Sequence, residues 1–233
     1  MRTGRERPAF PLLSPPKLVI FDCDGVLVDS EAIGDQVLID LLALRGITVS
    51  LADFSSRYIG LTLQAVAEDL NTRYGLSLGD PWLEEVRVAT ETAFHAGLEP
   101  IPHVRELIEA LERAGVPICV GSNGSVSKMI TSLGITGLLK HFEDRLFSGQ
   151  DMQRGKPFPD LFLHAADAMG AAPGDCVVIE DSAAGLKAAQ AAGMNALAYV
   201  ADPAHAPAEL SGGHPFTDMR QVPGLIGLRE AVR

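Results

Sequence analysis

The stretch Leu18-Val19-Ile20-Phe21-Asp22-Cys23-Asp24-Gly25 joins a continuous apolar run to an acidic turn. Four apolar residues without polar alternation, two of them β-branched, predict a short strand buried on both faces. That is the habit of parallel sheets covered by helices. Two aspartates and a glycine then fall at the carboxyl end of the strand, where open parallel sheets bind their ligands.

Working outward, the chain beyond Pro100 alternates. Val104, Leu107, Ile108 and Leu111 make an amphipathic helix that Gly115 ends. Strands are predicted over 116–120, 145–147, 176–179 and 196–200, with helices over 125–133, 160–169 and 183–192 between them. This alternation predicts an α/β fold, a parallel sheet with helices on both faces. Residues 31–97 break the pattern. Ile33, Val37, Leu41 and Leu44 recur at helical spacing, Ser50 with Asp53 forms a capping box, Thr62 caps a third helix, and Asp80-Pro81 opens a fourth. The expected organisation is a flexible tail over 1–16, a catalytic core over 17–30 and 98–233, and an inserted all-α cap domain over 31–97.

Composition narrows the classes of function. The chain has 233 residues, 47% of them apolar, and a formal net charge of −11. No apolar run approaches the roughly 18 residues of a membrane-spanning helix. Nucleic acid would require a basic face to neutralise phosphates, and the basic cluster Arg2, Arg5 and Arg7 is confined to the start of the chain. Pro8, Pro11, Pro15 and Pro16 interrupt any secretory apolar stretch there. Three widely spaced cysteines (Cys23, Cys119, Cys176) predict reduced thiols and a cytoplasmic protein. The six histidines show no metal-ligand spacing and are expected at the surface or at helix ends.

Four strand ends carry groups suited to one chemistry. They are Asp22 with Asp24, the turn Gly121-Ser122-Asn123-Gly124-Ser125, Lys156, and Glu180-Asp181-Ser182. Singly, these read as a turn, a helix cap, a solvated lysine and another cap. In order at consecutive strand ends they describe a magnesium-dependent phosphoryl-transfer site. Mg²⁺ takes about six oxygens, usually one or two carboxylates with water and substrate phosphate. Asp22 and Asp181 can supply the carboxylates, and the Lys156 ammonium offsets repulsion between a nucleophilic carboxylate and a phosphate dianion. The amides of the glycine-rich turn before a helix favour an anion. Asp24 is free to act as general acid and base.

Phe21-Asp22-Cys23-Asp24-Gly25-Val26-Leu27, Ser122, Lys156-Pro157 and Glu180-Asp181 resemble, in order, the four motifs of the haloacid dehalogenase superfamily. The resemblance runs from Lys17 onward and includes the helical insertion after the first motif. It implies a Rossmann-like core in which Asp22 attacks phosphorus and Asp24 protonates the leaving oxygen and later activates water. Mg²⁺ would sit on Asp22, the Asp24 carbonyl and Asp181, with Glu180 as an alternative or supporting ligand. Ser122 and Asn123 would bind the transferring phosphoryl group, and Lys156 would tie it to Asp22.

Within the superfamily, Leu146–Asp151, Gln153-Arg154, Lys156-Pro157 and Ala201-Asp202-Pro203 look most like bacterial 6-phosphogluconate phosphatases. The implied partner is a small phosphate ester, a sugar or sugar-acid phosphate, acted on by a monomer. The alternative is a β-phosphoglucomutase-type phosphosugar mutase. Such mutases carry a cap histidine, arginine and lysine, whereas Gly34 and Leu61-Thr62-Leu63 stand at the corresponding positions here and residues 31–97 contain no lysine. The missing lysine also argues against phosphonate hydrolases, which form a Schiff base through it. Substrate choice is expected from Arg57, Tyr58, Thr62 and Arg87.

Overall fold

A computed structural model describes residues 10–58, 62–201 and 210–228. Gly60 and Leu61, in the stretch where a mutase would carry its arginine, and Asp202-Pro203 of the subgroup resemblance lie outside the described residues. The apolar run forms β1 (Leu18–Phe21), and the chain then passes through four helices, α1 (Glu31–Ala43), α2 (Leu51–Tyr58), α3 (Leu63–Tyr74) and α4 (Asp80–Gly97). From α5 (Val104–Arg113) onward it alternates: β2 (Ile118–Ser122), α6 (Val126–Ile135), β3 (Leu146–Ser148), α7 (Asp160–Ala168), β4 (Cys176–Glu180), α8 (Ala183–Ala191) and β5 (Asn195–Tyr199). A short β6 (His214–Phe216) and α9 (Val222–Leu225) follow.

The six strands form one parallel sheet in the order β3-β2-β1-β4-β5-β6. Every residue of β1 is fully buried, as its unbroken apolar run requires. It lies between β2 (Val19 beside Ile118) and β4 (Ile20 beside Val178). Leu18 and Ile20 pack with Cys119, Phe162, Val178 and Leu186 in the core. The sixth strand escapes periodicity because it is three residues long and holds Pro215. At the sheet edge a proline's missing N–H is tolerated.

Residues Asp29–Glu99 form a unit of their own, distinct from the chain up to Val28 and from Pro100. In the helical unit Val37, Leu38, Leu42, Phe54, Val66, Leu70, Trp82 and Val86 make a separate apolar core. Ser50 accepts the Asp53 N–H at 3.2 Å and Thr62 accepts the Ala65 N–H at 3.2 Å, the two capping bonds read from the sequence. The fourth helix differs: Gly79 is its cap, and Asp80 lies inside the first turn, where the helix dipole favours an acid.

The structure refines two further readings. The Leu12 N–H donates to the Leu225 carbonyl at 2.7 Å and the Phe10 ring lies 5.3 Å from that of His214, so the described part of the expected tail is tied to the C-terminal segment. His141, expected at the surface or at a helix end, closes a short 3₁₀ helix over Leu139–His141 and is buried there with Nδ1 2.9 Å from Glu112.

Candidate active site

Adjacency of β2, β1 and β4 brings three distant segments to one sheet edge. Asp22 directly follows β1 and donates its N–H to the Ile179 carbonyl at 2.9 Å. Ser122 ends β2 and Glu180 ends β4, so their side chains reach the same edge because their strands flank β1.

Lys156 arrives on the loop after β3. Its ammonium donates to Asp22 Oδ1 at 2.6 Å and to Glu180 Oε1, and its side chain is only 4% exposed. The ammonium lies over the Phe162 ring, 5.1 Å from its centre. Asn123 fixes the loop from the β2 side. Its Nδ2 donates to the Lys156 carbonyl at 3.2 Å, and its Oδ1 accepts the Lys156 N–H at 2.9 Å. A Cβ on Gly149 or Gly155 would overlap that Oδ1, so both glycines are required by the clamp. The Asn123 side chain, expected on phosphate, is thus engaged in positioning Lys156.

Glu180 is fully buried. Its Oε2 accepts both the Ser182 N–H and the Ser182 hydroxyl at 2.9 Å, while Oε1 faces Lys156. Oxygens of Asp22, Glu180 and Asp181 lie within 4.8 Å of one another. Three hard carboxylate donors at that spacing fit a small divalent cation. Gly25, at φ +74°, leaves the space that Asp181 occupies, since a Cβ there would overlap Asp181 Oδ2. Burial pushes the Asp22 carboxyl above its usual range, the Lys156 charge pulls it back, and Glu180 raises it again. Burial works against the Lys156 charge, but Asp22 and Glu180 outweigh it and hold the ammonium above its ordinary pKa.

Ser122 Oγ accepts the Gly124 N–H at 3.1 Å, and Ser125 caps α6 by accepting the Lys128 N–H at 3.2 Å. The phosphoryl-binding turn read from the sequence therefore leads straight into a capped helix N-terminus. Asp24 differs from its neighbour: its Oδ2 accepts from Lys128 Nζ at 2.7 Å.

Sequence reasoning passed over Lys128. The signal available was its place in the first turn of α6, where a cation opposes the helix dipole at a cost of about 0.3–1 kcal/mol. The residues from which substrate choice is expected make side-chain bonds within the helical unit. Arg57 and Tyr58 both donate to Asp69, Thr62 caps α3, and Arg87 pairs with Glu84 and Glu91 along α4.

The chain belongs to the haloacid dehalogenase-like hydrolase family, whose model matches residues 16–193. It is a phosphatase of that family. Among its relatives, 6-phosphogluconate phosphatase from Escherichia coli (strain K12) is 36% identical over 214 residues, covering 91% of this chain and 96% of that protein. Hexitol phosphatase A from the same organism is 31% identical over 194 residues, covering 81% of this chain and 84% of that protein. A solved family hydrolase from Deinococcus radiodurans R1, with bound phosphate and sodium, superposes with a TM-score of 0.74 at 30% identity, covering 90% of this chain and 94% of that one. Among the described residues no helix is long and apolar enough to cross a membrane.

Proposed function

We propose that this phosphatase hydrolyses a sugar or sugar-acid phosphate, of which 6-phosphogluconate is one candidate, through an aspartyl phosphate on Asp22. One observation carries the reading. The Asp22 carboxylate sits in an acidic cluster with Glu180 and Asp181, bonded to a buried ammonium, with a second aspartate two residues away on a different cation. Such a cluster is repulsive unless cations share it, and a phosphoryl group would enter among donors already in place.

The chemistry follows from the placement. An Asp22 oxygen attacks phosphorus while the bond from phosphorus to the ester oxygen breaks, and Asp24 gives its proton to that oxygen. Asp24 then takes a proton from water as the water oxygen attacks the aspartyl phosphate, releasing inorganic phosphate and restoring Asp22. Lys156 holds Asp22 and offsets its charge beside the phosphate. Ser122 and the amides of the following turn face the transferring group. Asp22 and Asp181, with Glu180 beside them and the Asp24 carbonyl on the same turn, would hold Mg²⁺, which neutralises phosphoryl charge when bound.

The helical unit is inserted between β1 and α5, and we assign it the part of a cap that admits and selects substrate. Gly34 supports hydrolysis over mutase chemistry. A Cβ there would meet nothing within 4 Å, so packing does not dictate the absence of a mutase-type side chain. The names of the relatives favour a phosphorylated sugar acid or polyol. The three buried free cysteines suit a reducing, cytoplasmic setting.

The test is phosphate release from a panel of sugar, sugar-acid and polyol phosphates, with magnesium and with chelator. β-Glucose 1-phosphate with catalytic glucose 1,6-bisphosphate, followed by phosphorus NMR, separates the alternative. Stoichiometric inorganic phosphate without a bisphosphate primer is expected. Glucose 6-phosphate accumulating faster than free phosphate would establish the mutase instead.

A further inference from the structure

We infer that Lys128 is a positioning residue for Asp24, holding the carboxyl that exchanges a proton with the leaving oxygen. The inference rests on the acid and base role given to Asp24 above and adds a residue that lies outside the four motifs.

Lys128 Nζ and Asp24 Oδ2 are 2.7 Å apart, although 104 positions separate them in sequence. The two residues reach each other from different elements, Asp24 from the turn after β1 and Lys128 from the first turn of α6. Gly124 lies beside both. A Cβ added to it would meet Ser122 Oγ at 3.4 Å, Lys128 Cδ at 3.6 Å and Asp24 Oδ2 at 3.9 Å. The phosphoryl-binding serine, the lysine stem and the Asp24 carboxyl therefore border one glycine.

Electrostatics explains why a cation belongs there. Asp24 shares its turn with Asp22 and Gly25, and the Gly25 position borders Asp181. An anionic ester adds repulsion for an ionised Asp24, and the protonated acid has no charge to fix its rotamer, so an unrestrained side chain would not stay aimed at the leaving oxygen. An ammonium bonded to one of its oxygens holds the side chain in a single orientation. Lys156 cannot do this, because its ammonium is bonded to Asp22 and Glu180. The site thus contains a separate lysine for each aspartate of the first motif. Helix stability does not account for Lys128, since a first-turn cation opposes the dipole.

The experiment uses the dependence on leaving group. A nitrophenolate departs without a proton, whereas an alkoxide needs one, so loss of the acid is felt by alkyl esters and spared by aryl esters. Rapid-mixing measurement of the first turnover isolates P–O cleavage from the later hydrolysis step. Lys128→Met, Lys128→Arg and Asp24→Asn are compared on p-nitrophenyl phosphate and on the best sugar phosphate of the panel. Lys128→Met should slow alkyl ester cleavage by roughly 10²-fold, the low end for general acid catalysis, while the nitrophenol burst changes little. Lys128→Arg, which keeps a cation, should recover much of the loss, and Asp24→Asn should show the same selectivity as Lys128→Met. Equal loss on both esters in Lys128→Met, or a raised KM with unchanged cleavage, would overturn the positioning role. If Asp24→Asn itself shows no selectivity, the acid assignment fails and takes this inference with it. Selectivity in Asp24→Asn but not in Lys128→Met defeats the inference alone. The Arg variant guards against misfolding, because it preserves charge and a long apolar stem.

Discussion

Lys156 Nζ lies 2.6 Å from Asp22 Oδ1, a contact that closes 134 positions of sequence and sits beneath the surface. The same ammonium bonds Glu180, which has no exposure. One buried cation therefore compensates two buried carboxylates, and removing it leaves both uncompensated. Breaking a buried pair by deleting one partner typically costs about 3–5 kcal/mol. Lys156→Met should lower the unfolding free energy by an amount of that order and abolish turnover. A variant as stable as the parent would show that the carboxylates are compensated by other groups.

Asp22→Asn keeps shape and hydrogen bonding but removes the attacking charge. Turnover should vanish while circular dichroism and the melting transition stay close to the parent. Retained hydrolysis with an unchanged metal requirement would sink the covalent mechanism.

Asp181→Ala removes one of three clustered carboxylates. Half-saturating magnesium should rise by at least roughly 10- to 100-fold, the loss usual even for groups that merely orient metal ligands. The check is activity, or calorimetric binding, across a magnesium titration. An unchanged midpoint would remove Asp181 from the ligand set.

Two glycine substitutions should behave in opposite ways. At Gly25 the backbone has φ +74° and an added Cβ would overlap Asp181, so Gly25→Ala should weaken magnesium activation as Asp181→Ala does. At Gly34, within α1, an added Cβ meets nothing within 4 Å, so Gly34→Ala should stabilise the helical unit by about 0.5–1 kcal/mol. Melting curves and magnesium titrations of the two variants distinguish the effects.

The cysteines are predicted to be inert in the folded chain. Burial raises the Cys23 and Cys119 thiols, with the neighbouring Asp24 and Asp22 carboxylates adding to the effect at Cys23. Burial likewise lifts Cys176 to about 11. At pH 8 that leaves on the order of one thiolate in a thousand even at Cys176. Iodoacetamide should label none of them in native protein within an hour and all three after denaturation. Rapid native labelling of Cys23, which stands between the two site aspartates, would contradict its buried placement against Ser132.

Local chemistry wrote much of this protein plainly. An apolar run such as Leu18–Phe21 can satisfy its backbone and hide its side chains only inside a covered sheet, and it is buried throughout. The break from alternation over the helical segment was equally legible, because helical and strand periods differ along the chain itself. Asp22, Ser122, Lys156, Glu180 and Asp181 stood out by residue type at successive strand ends, and the structure places Asp22, Glu180 and Asp181 in one cluster with Lys156 on two of them.

Other features needed the third dimension. Lys128 is an ordinary helix residue in one dimension, and becomes a partner of Asp24 only when α6 follows a strand laid beside β1. Asn123 likewise turns from a candidate phosphate ligand into a clamp on Lys156 once β3 pairs with β2 and its loop returns. Glu180 acquires its bonds to Lys156 and Ser182 in the same way. Strand and helix are decided by steric and hydrophobic preferences that each short segment carries within itself. The partner of a charged side chain is decided by which strands lie side by side, because Coulomb and hydrogen-bond energies depend on distances that only the folded sheet sets.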